Sequence, residues 1–221
     1  ESNVTDYRRE LDLEKGLSKV SFKANGHQYH RTTFASLTDS IIVMHFTSDT
    51  LMNMKLTHEC TFSTTLTIGT NTMTASIKGD GQEGINGALT AKCKVEVQST
   101  DGKIVKGTNY LSIRNASDFT LYICASTNFI SYNNTKGNAE TKNKRLLDAA
   151  KTHSYEELLA RHTEKYPIQY KRVSLYLGTS TDNSELPTNK RLEAFSKKQT
   201  DLGMVALMFN YGRYLLLSSS Q

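Results

Sequence analysis

Apolar and polar residues alternate with a period of two through much of the first 130 residues. The pattern is clearest at residues 89–98, where every odd position from Leu89 to Val97 is apolar and every even position is polar. This period is typical of a strand with one face in water. Apolar residues at 119, 121, 123 and 125 line one side of a later predicted strand.

Turn signals separate these segments. Asn25-Gly26 supplies the two positive φ angles of a tight hairpin turn between predicted strands at residues 20–24 and 27–35. Ile41–Phe46 is a continuous apolar run, which is typical of a strand buried on both faces. Strands at short intervals with no helical period between them predict a large antiparallel β-sandwich in residues 1–135.

The pattern changes to a helical one after Tyr132. Residues 136–200 are predicted to form a helical linker, with a helix over residues 139–150 and a short strand near residues 173–177. Ser154 and Glu157 have the spacing of a capping box, which predicts that a second helix begins there. Pro167 is expected to kink or end that helix, and Pro187-Thr188 to open a third one that runs through Phe195.

The last segment, residues 201–221, contains the most apolar helix of the chain. Between Leu202 and Leu217, twelve of sixteen residues are apolar or Tyr. A helix that is apolar nearly all round is covered on all sides in its folded context. A sandwich can cover one flank only, so we expect the other flank to pack against helices that follow Gln221 in a longer protein. The start at Glu1, without Met, also predicts a processed or excised piece.

Composition excludes several classes of protein. The net charge of +5 arises from Lys and Arg scattered singly, which favours a solvated surface over nucleic-acid binding. No run reaches the roughly 18 apolar residues that span a bilayer, and no signal-peptide core opens the chain. Cys60, Cys93 and Cys124 form no CxxC pair, so buried thiols are expected, with one disulfide between adjacent strands left open.

Glu83 is the most site-like carboxylate, because it lies with Asp80 in a glycine-rich loop, residues 79–84. Glycines let a backbone approach a ligand closely, but they also form ordinary turns between strands. The turn interpretation is favoured. The sequence places no second carboxylate at a spacing suited to glycosidase chemistry.

The histidines do not indicate a site either. His58-Glu59 lacks the second His of a helical zinc motif and lies in a strand pattern, while His27 and His30 fall on opposite faces of a strand. A packing role is favoured for His162, which lies on an apolar helix face. No catalytic, cofactor-binding or metal-binding residue is assigned, and no cofactor is expected.

Sugar binding depends on exposed aromatic rings, and the chain has no Trp. The candidates among the eleven Tyr are Tyr29, Tyr110, Tyr122 and Tyr132. Tyrosines at period-two positions are more often part of the core or of the sheet surface.

Six short motifs, in order, resemble the α-L-fucosidases of glycoside hydrolase family ninety-five over nearly the whole chain. They are DYRRELDL at 6–13, QEGING at 82–87, ASTNF at 125–129, SYEELL at 154–159, RVSLYLG at 172–178 and FNYGRYLL at 209–216. Each motif is weak alone, but their order and spacing are fairly specific.

The resemblance implies an amino-terminal sandwich, a helical linker and an (α/α)6 catalytic barrel of the same polypeptide, with residues 201–221 as the first barrel helix. It also implies hydrolysis of terminal α-linked L-fucose, or of a related sugar such as L-galactose, with inversion. In that family a Glu acts as acid, and an Asn helped by an Asp activates water. All three would follow Gln221, so this chain is expected to be a non-catalytic fragment.

Two alternatives stay open, a free-standing carbohydrate-binding module and a purely structural β-sandwich module. The resemblance also predicts a bacterial protein in the periplasm or outside the cell.

Overall fold

A computed structural model describes residues 3–178 and 183–219. Within these ranges the chain forms nine β-strands followed by four α-helices, which confirms the predicted fold class, mainly β with C-terminal α. The strands are β1 (Val4–Asp12), β2 (Leu17–Ala24), β3 (His27–Ser36), β4 (Ile41–Thr57), β5 (Thr64–Ile68), β6 (Thr72–Lys78), β7 (Thr90–Ser99), β8 (Lys103–Lys106) and β9 (Tyr110–Thr127). The helices are α1 (Ala139–Ala150), α2 (Tyr155–Tyr170), α3 (Thr188–Lys197) and α4 (Leu202–Ser219).

The strands form one hydrogen-bonded sheet in the order β1-β2-β3-β4-β9-β7-β6-β5, and β8 pairs with β9. From β2 onward, neighbouring strands of the sheet pair in antiparallel fashion. The hairpin between β2 and β3 forms as predicted, because Asn25 and Gly26 take φ angles of 52° and 83°.

The long strands β4 and β9 give the sheet a sandwich-like core. Their pairing shifts register between Thr47 and Met54, and Asn115 opposite this region has a φ of 52°. One apolar cluster joins residues from both halves of β9, such as Ile113 and Phe119, to Val97 of β7. The predicted apolar side of residues 119–125 therefore lies in a core, apart from Ala125 at its outer end.

A second apolar cluster lies on the opposite face of the sheet. Val43 pairs with Phe34 and Tyr122, and these residues pack with Leu147 of α1 and Leu158 of α2. The first half of β4 therefore contacts apolar clusters on both faces, through Val43 on one side and Met44 on the other. The predicted burial on both faces is incomplete, because Ile42 at the start of the strand is 42% exposed.

The predicted wet face of β7 is covered by α1, so that expectation was wrong. Lys92 and Lys94 reach Glu140 of α1, and the side chain of Asn143 donates to the carbonyl of Lys92 at 2.8 Å. Charged residues line this face because they pair with a helix rather than with water. The alternation alone could not distinguish the two situations.

The predicted capping box forms at the start of α2. The amide of Ser154 donates to Glu157 at 2.8 Å, and the amide of Glu157 donates to the Ser154 hydroxyl at 3.2 Å. Pro167, however, neither ends nor visibly interrupts the helix, which continues to Tyr170. Because Pro167 lies in the last turn, its missing N–H removes a single hydrogen bond close to the end.

Two further expectations need correction. Residues 173–177 form no strand, and none of the nine strands in the described part of the chain pairs with them. Cys60 is exposed in the loop after β4, whereas Cys93 is half-buried and Cys124 is buried. The three cysteines, all within the described ranges, are free thiols.

The chain divides into two compact units. One contains residues 1–11 and 17–162, and holds both apolar clusters. The other contains residues 12–16 and 163–221. Within the second unit Asp201 precedes α4 and forms a bidentate ion pair with Arg191 of α3, at 2.6 and 2.8 Å.

Candidate functional site

The loop that carries Glu83 forms a tight turn that backbone hydrogen bonds close. Gln82 and Ile85 exchange two backbone hydrogen bonds of 3.0 Å, and Glu83 and Gly84 take φ angles of 51° and 80° between them. A side chain at Gly87 would collide with backbone carbonyl oxygens at the start of the loop, so this glycine is needed for close packing. The favoured turn interpretation of Glu83 agrees with this geometry.

The histidines considered above have different surroundings in the structure. His27 is exposed and contacts Asp49 at 3.1 Å, while His30 lies on the opposite face of β3. His162 is buried and stacks on Phe34 with ring centroids 5.0 Å apart, which agrees with its expected packing role. His58 follows the end of β4 rather than lying in a strand.

Residues 3–178 and 183–219 contain no group of three His, Cys, Asp or Glu side chains placed to hold a metal ion.

Sequence reasoning missed a polar cluster around His45. Its Nδ1 atom lies 2.9 Å from the Thr120 hydroxyl, its Nε2 atom lies 3.7 Å from Asp118, and its ring stacks on Tyr155 at 3.8 Å. Burial lowers the pKa of His45 from its ordinary value of 6.5, while Asp118 and Glu156 oppose that shift. The neighbours come from β9 and α2, so only the strand register could have revealed the cluster.

The least exposed carboxylates form ion pairs between different secondary-structure elements. Asp39 accepts from Arg161 of α2 at 2.8 Å, and Glu96 of β7 pairs with Lys151 after α1 at 3.2 Å. Arg191 lowers the pKa of Asp201 to about 2, so this carboxylate is ionised at neutral pH. These side chains position helices and are already paired within the protein.

The four candidate sugar-stacking tyrosines differ in exposure. Tyr122 is buried, Tyr29 stacks on Phe22 at 5.0 Å, and the ammonium group of Lys55 lies 4.4 Å from the ring centroid of Tyr110. Tyr132 is different, because 93% of its surface is exposed. It lies in a turn in which Ser131 and Asn134 exchange backbone hydrogen bonds of 3.0 and 3.1 Å.

Tyr132 is one of six exposed apolar residues in loops at one end of the sheet, which we call the loop-end patch. Its six members lie in the loops that follow β4, β6 and β9, and each is roughly half exposed or more. They are Phe62, Ile85, Leu89, Phe129, Ile130 and Tyr132.

The three loops of the patch are contiguous. Ser63 of the first loop lines a small cavity together with residues 78–81 and 86–87 of the second. Asn128 then bridges the second and third loops, since its side-chain amide donates to the carbonyls of Ala88 at 3.0 Å and Thr135 at 2.7 Å. Loops from three separate parts of the sequence therefore lie next to one another at this end of the sheet.

Helix α4 carries a second exposed apolar surface. Seven of its large apolar side chains are between 37% and 67% exposed, and among the described residues of the helix only Met204 is buried. They are Leu202, Val205, Met208, Phe209, Tyr211, Leu215 and Leu216. At about 100° of rotation per residue, all seven fall within one half of the helix circumference.

The helices in the described part of the chain are too short or too polar to cross a membrane.

Two family models match the chain in succession. Residues 1–132 match the model described as the glycosyl hydrolase family 65 N-terminal domain. Residues 154–221 match the glycosyl hydrolase family 95 catalytic domain.

Curated proteins with similar sequences carry fucosidase names. The chain is 29% identical to alpha-L-fucosidase 2 of Arabidopsis thaliana, over 97% of this chain and 29% of that protein. It is 24% identical to a probable alpha-fucosidase A of Aspergillus oryzae, over 99% of this chain and 32% of that protein. The chain thus spans about a third of the length of the curated relatives that it matches.

The source of these relatives corrects one expectation. They come from a plant and from fungi, and a similar probable alpha-fucosidase A belongs to Aspergillus niger. The predicted bacterial periplasmic or extracellular localisation was wrong. It rested on resemblance alone, and no residue of the chain carried it.

A solved structure shares the fold. A putative kojibiose phosphorylase from the human microbiome superposes with a TM-score of 0.51 over 75% of this chain and 25% of that one. The two sequences are only 14% identical, so this similarity concerns the fold alone.

Proposed function

Because the chain belongs to the family of the glycosyl hydrolase family 65 N-terminal domain, we propose that it is the non-catalytic amino-terminal part of a glycoside hydrolase resembling an inverting α-L-fucosidase. The order of the two matches carries this proposal, since an N-terminal domain is followed by the start of a catalytic-domain family. The resemblance predicted from the six motifs is confirmed by these matches and by the relative from Arabidopsis thaliana.

The whole enzyme, in this proposal, hydrolyses terminal α-linked L-fucose or a related sugar such as L-galactose. Inversion requires a carboxylic acid at the leaving oxygen and a second group that activates water on the opposite face. We assign both groups to the catalytic barrel outside these 221 residues. The three largely buried carboxylates described above support this, because each is already engaged in an ion pair with a side chain of another element.

The proposed division of the chain places the sandwich in residues 1–135, the helical linker in 136–200 and the first barrel helix in 201–221. The last strand ends at Thr127 and the first helix begins at Ala139, which is consistent with the first boundary. The catalytic-domain match already begins at residue 154, so part of the linker shares sequence with that family.

The exposed side of α4 supports a catalytic-barrel role for this helix. Burying a large apolar side chain fully contributes roughly 1.5–3 kcal/mol. Seven such side chains at 37–67% exposure leave a substantial part of that stabilisation unused. Packing of α4 against further barrel helices would use it.

A kinetic comparison of the longer natural protein tests the substrate. Hydrolysis of 4-nitrophenyl α-L-fucoside should exceed that of the α-L-galactoside in kcat/KM, and proton NMR of the first product should show the inverted anomer. Failure on both glycosides, or retention at the anomeric carbon, would contradict the proposal.

A stand-alone carbohydrate-binding module is the second candidate, and the 93% exposure of Tyr132 favours it. Exposed aromatic rings provide flat apolar faces for stacking. Titration calorimetry of this chain with fucosylated oligosaccharides separates the two candidates. Tight binding by the isolated chain would favour the module, and the absence of heat would favour the enzyme part.

A further inference from the structure

An open groove crosses strands β1, β2 and β3 and has no role in the proposed function. Its volume is about 160 Å³, and it lies on the face of the sheet that carries the second apolar cluster, two residues along the strands from Leu17 and Phe34. That face is apolar where α1 and α2 cover it, and it becomes polar at the groove. Six polar or charged residues line the groove: Arg8, Glu10, Lys19, Ser21, His30 and Thr32.

The strand register makes the central residues of the groove neighbours on one surface. Lys19 of β2 pairs with Thr32 of β3, and two residues further along β2, Ser21 pairs with His30. Because side chains alternate along a strand, all four lie on the same face. Directly paired side chains on a face have Cβ atoms about 4.5–5.5 Å apart. The groove is therefore a continuous polar surface, and the backbone hydrogen bonds of the sheet fix its shape.

The groove contains polar side chains that the protein itself does not use. Across the two described ranges, the side chains of Lys19, Ser21 and His30 form no hydrogen bond or ion pair. Glu10, the carboxylate that lines the groove, accepts a hydrogen bond from Nε of Arg8 at 3.0 Å. The ammonium group of Lys19 is therefore available to a negatively charged ligand.

The charges of the groove favour a ligand with a single negative charge. Arg8 and Lys19 are positive and Glu10 is negative, so two positive charges and one negative charge leave +1 with His30 neutral. Polyanions such as nucleic acids bind through several phosphate contacts to Lys and Arg. The groove is too weakly charged for such a ligand, whereas one carboxylate would balance its charge.

The neutral groups favour a ligand that also carries hydroxyl groups. Ser21 and Thr32 can both donate and accept hydrogen bonds, and Glu10 accepts them. Sites that enclose a drug-sized ligand have volumes of roughly 300–1,000 Å³, so a groove of about 160 Å³ fits a single ring with one side in solvent. A hexuronic acid combines one carboxylate and several hydroxyl groups on one pyranose ring. Because the chain belongs to the family of a glycosyl hydrolase N-terminal domain, an acidic residue of a glycan is the ligand that this chemistry favours.

We propose that the groove across β1, β2 and β3 binds a hexuronic acid residue of a glycan. The carboxylate of the sugar lies against the ammonium group of Lys19, and His30 donates a second hydrogen bond to it. Ser21 and Glu10 bind the ring hydroxyl groups. This inference goes beyond the proposed function, because it assigns a ligand to the sheet and requires no fucosidase activity.

Isothermal titration calorimetry of the full natural chain with trigalacturonic acid tests the proposal. The fully methyl-esterified trisaccharide is the matched ligand, because esterification removes the negative charges and keeps the ring hydroxyl groups. Sodium acetate supplies a carboxylate without the ring. We expect saturable binding of the free acid and affinities about tenfold or more lower for the ester and for acetate, since hydrogen bonds between charged groups are about twice as strong as neutral ones.

Two lysine variants locate the binding in the groove. Lys19→Ala should lower the affinity for trigalacturonic acid about tenfold or more, because it removes the cation that faces the carboxylate. Lys103→Ala is the matched control, because it removes an exposed lysine from β8, which pairs with β9 and does not line the groove. It should leave the affinity unchanged. The comparison of ligands needs no substitution, so the test stands even where a variant fails to fold.

The absence of saturable heat with trigalacturonic acid would overturn the proposal. Equal affinity for the methyl ester would show that the negative charge is not recognised, and equal affinity for acetate would reduce the groove to a simple anion site. Either result also overturns the proposal. An unchanged affinity in Lys19→Ala, or an equal loss in Lys19→Ala and Lys103→Ala, would show that the acid binds elsewhere on the protein and would overturn it as well.

Discussion

Replacing Leu216 by alanine tests whether the exposed side of α4 is covered in the longer protein that we propose. Leu216 is 67% exposed in this chain, whereas Met204 on the same helix is 3% exposed. Full burial of a leucine contributes roughly 1.5–3 kcal/mol, so covering the exposed two-thirds is worth about 1–2 kcal/mol. In this chain alone Leu216→Ala should cost less than about 0.5 kcal/mol, as surface substitutions do.

The rate of hydrogen exchange at the backbone amides of α4 measures the cost of Leu216→Ala in the longer protein and in the 221-residue chain. In the longer protein Leu216→Ala should accelerate exchange about five- to thirtyfold, and in the 221-residue chain about twofold or less, since ~1.4 kcal/mol is a factor of ten. Met204→Ala is the control, because it removes a side chain that is already buried and should cost roughly 2–5 kcal/mol in both proteins. If Leu216→Ala had the same small effect in both, α4 would not be covered and the reasoning would fail.

Three further outcomes are expected. Leu147 is 1% exposed in the core between α1 and the sheet, so Leu147→Ala should lower the free energy of unfolding by roughly 2–5 kcal/mol in a urea titration. Arg145→Ala, on the exposed side of α1, should change it by less than about 0.5 kcal/mol. Equal effects of the two substitutions would contradict the placement of α1. Burial lowers the pKa of His45 below its unfolded value of 6.5. Protonation of the His45 ring therefore destabilises the folded state relative to the unfolded state. Stability is therefore full above pH 6.5 and falls with acidification toward the folded pKa, and His45→Gln should flatten that part of the pH–stability curve; an unchanged curve would show that another group titrates. Burial raises the pKa of the Cys124 thiol to about 11. At pH 8 a maleimide should therefore modify the exposed Cys60 in this chain well before Cys124. The reverse order of modification would be inconsistent with the structure.

Local sequence signals predicted the features that depend on neighbouring residues. The Asn25-Gly26 turn, the Ser154 capping box and helix α1 at residues 139–150 all follow from spacing within a few positions. Each of these features satisfies its own backbone hydrogen bonds, so tertiary contacts had little to change.

The errors arose where a partner distant in sequence decides the outcome. The polar face of β7 looked wet because Lys92 and Lys94 face Glu140, which follows almost fifty residues later. Residues 173–177 alternate like a strand but pair with none of the strands that the structure describes. The effect of Pro167 depended on where α2 ends.

The candidate surfaces were predictable to different degrees. The composition of α4 predicted an apolar surface, because the residues that share a helix face lie close together in the sequence. The loop-end patch could not be found in this way, since Phe62, Ile85 and Tyr132 are brought together only by the strand order β9-β7-β6-β5.

The most direct measurement of the central claim is turnover of an aryl α-L-fucoside by the 221-residue chain and by the longer natural protein, at equal molar concentration and with circular dichroism confirming that the chain is folded. The account predicts product release by the longer protein and none above the uncatalysed rate by the chain. Turnover by the chain itself would contradict its assignment as a non-catalytic part.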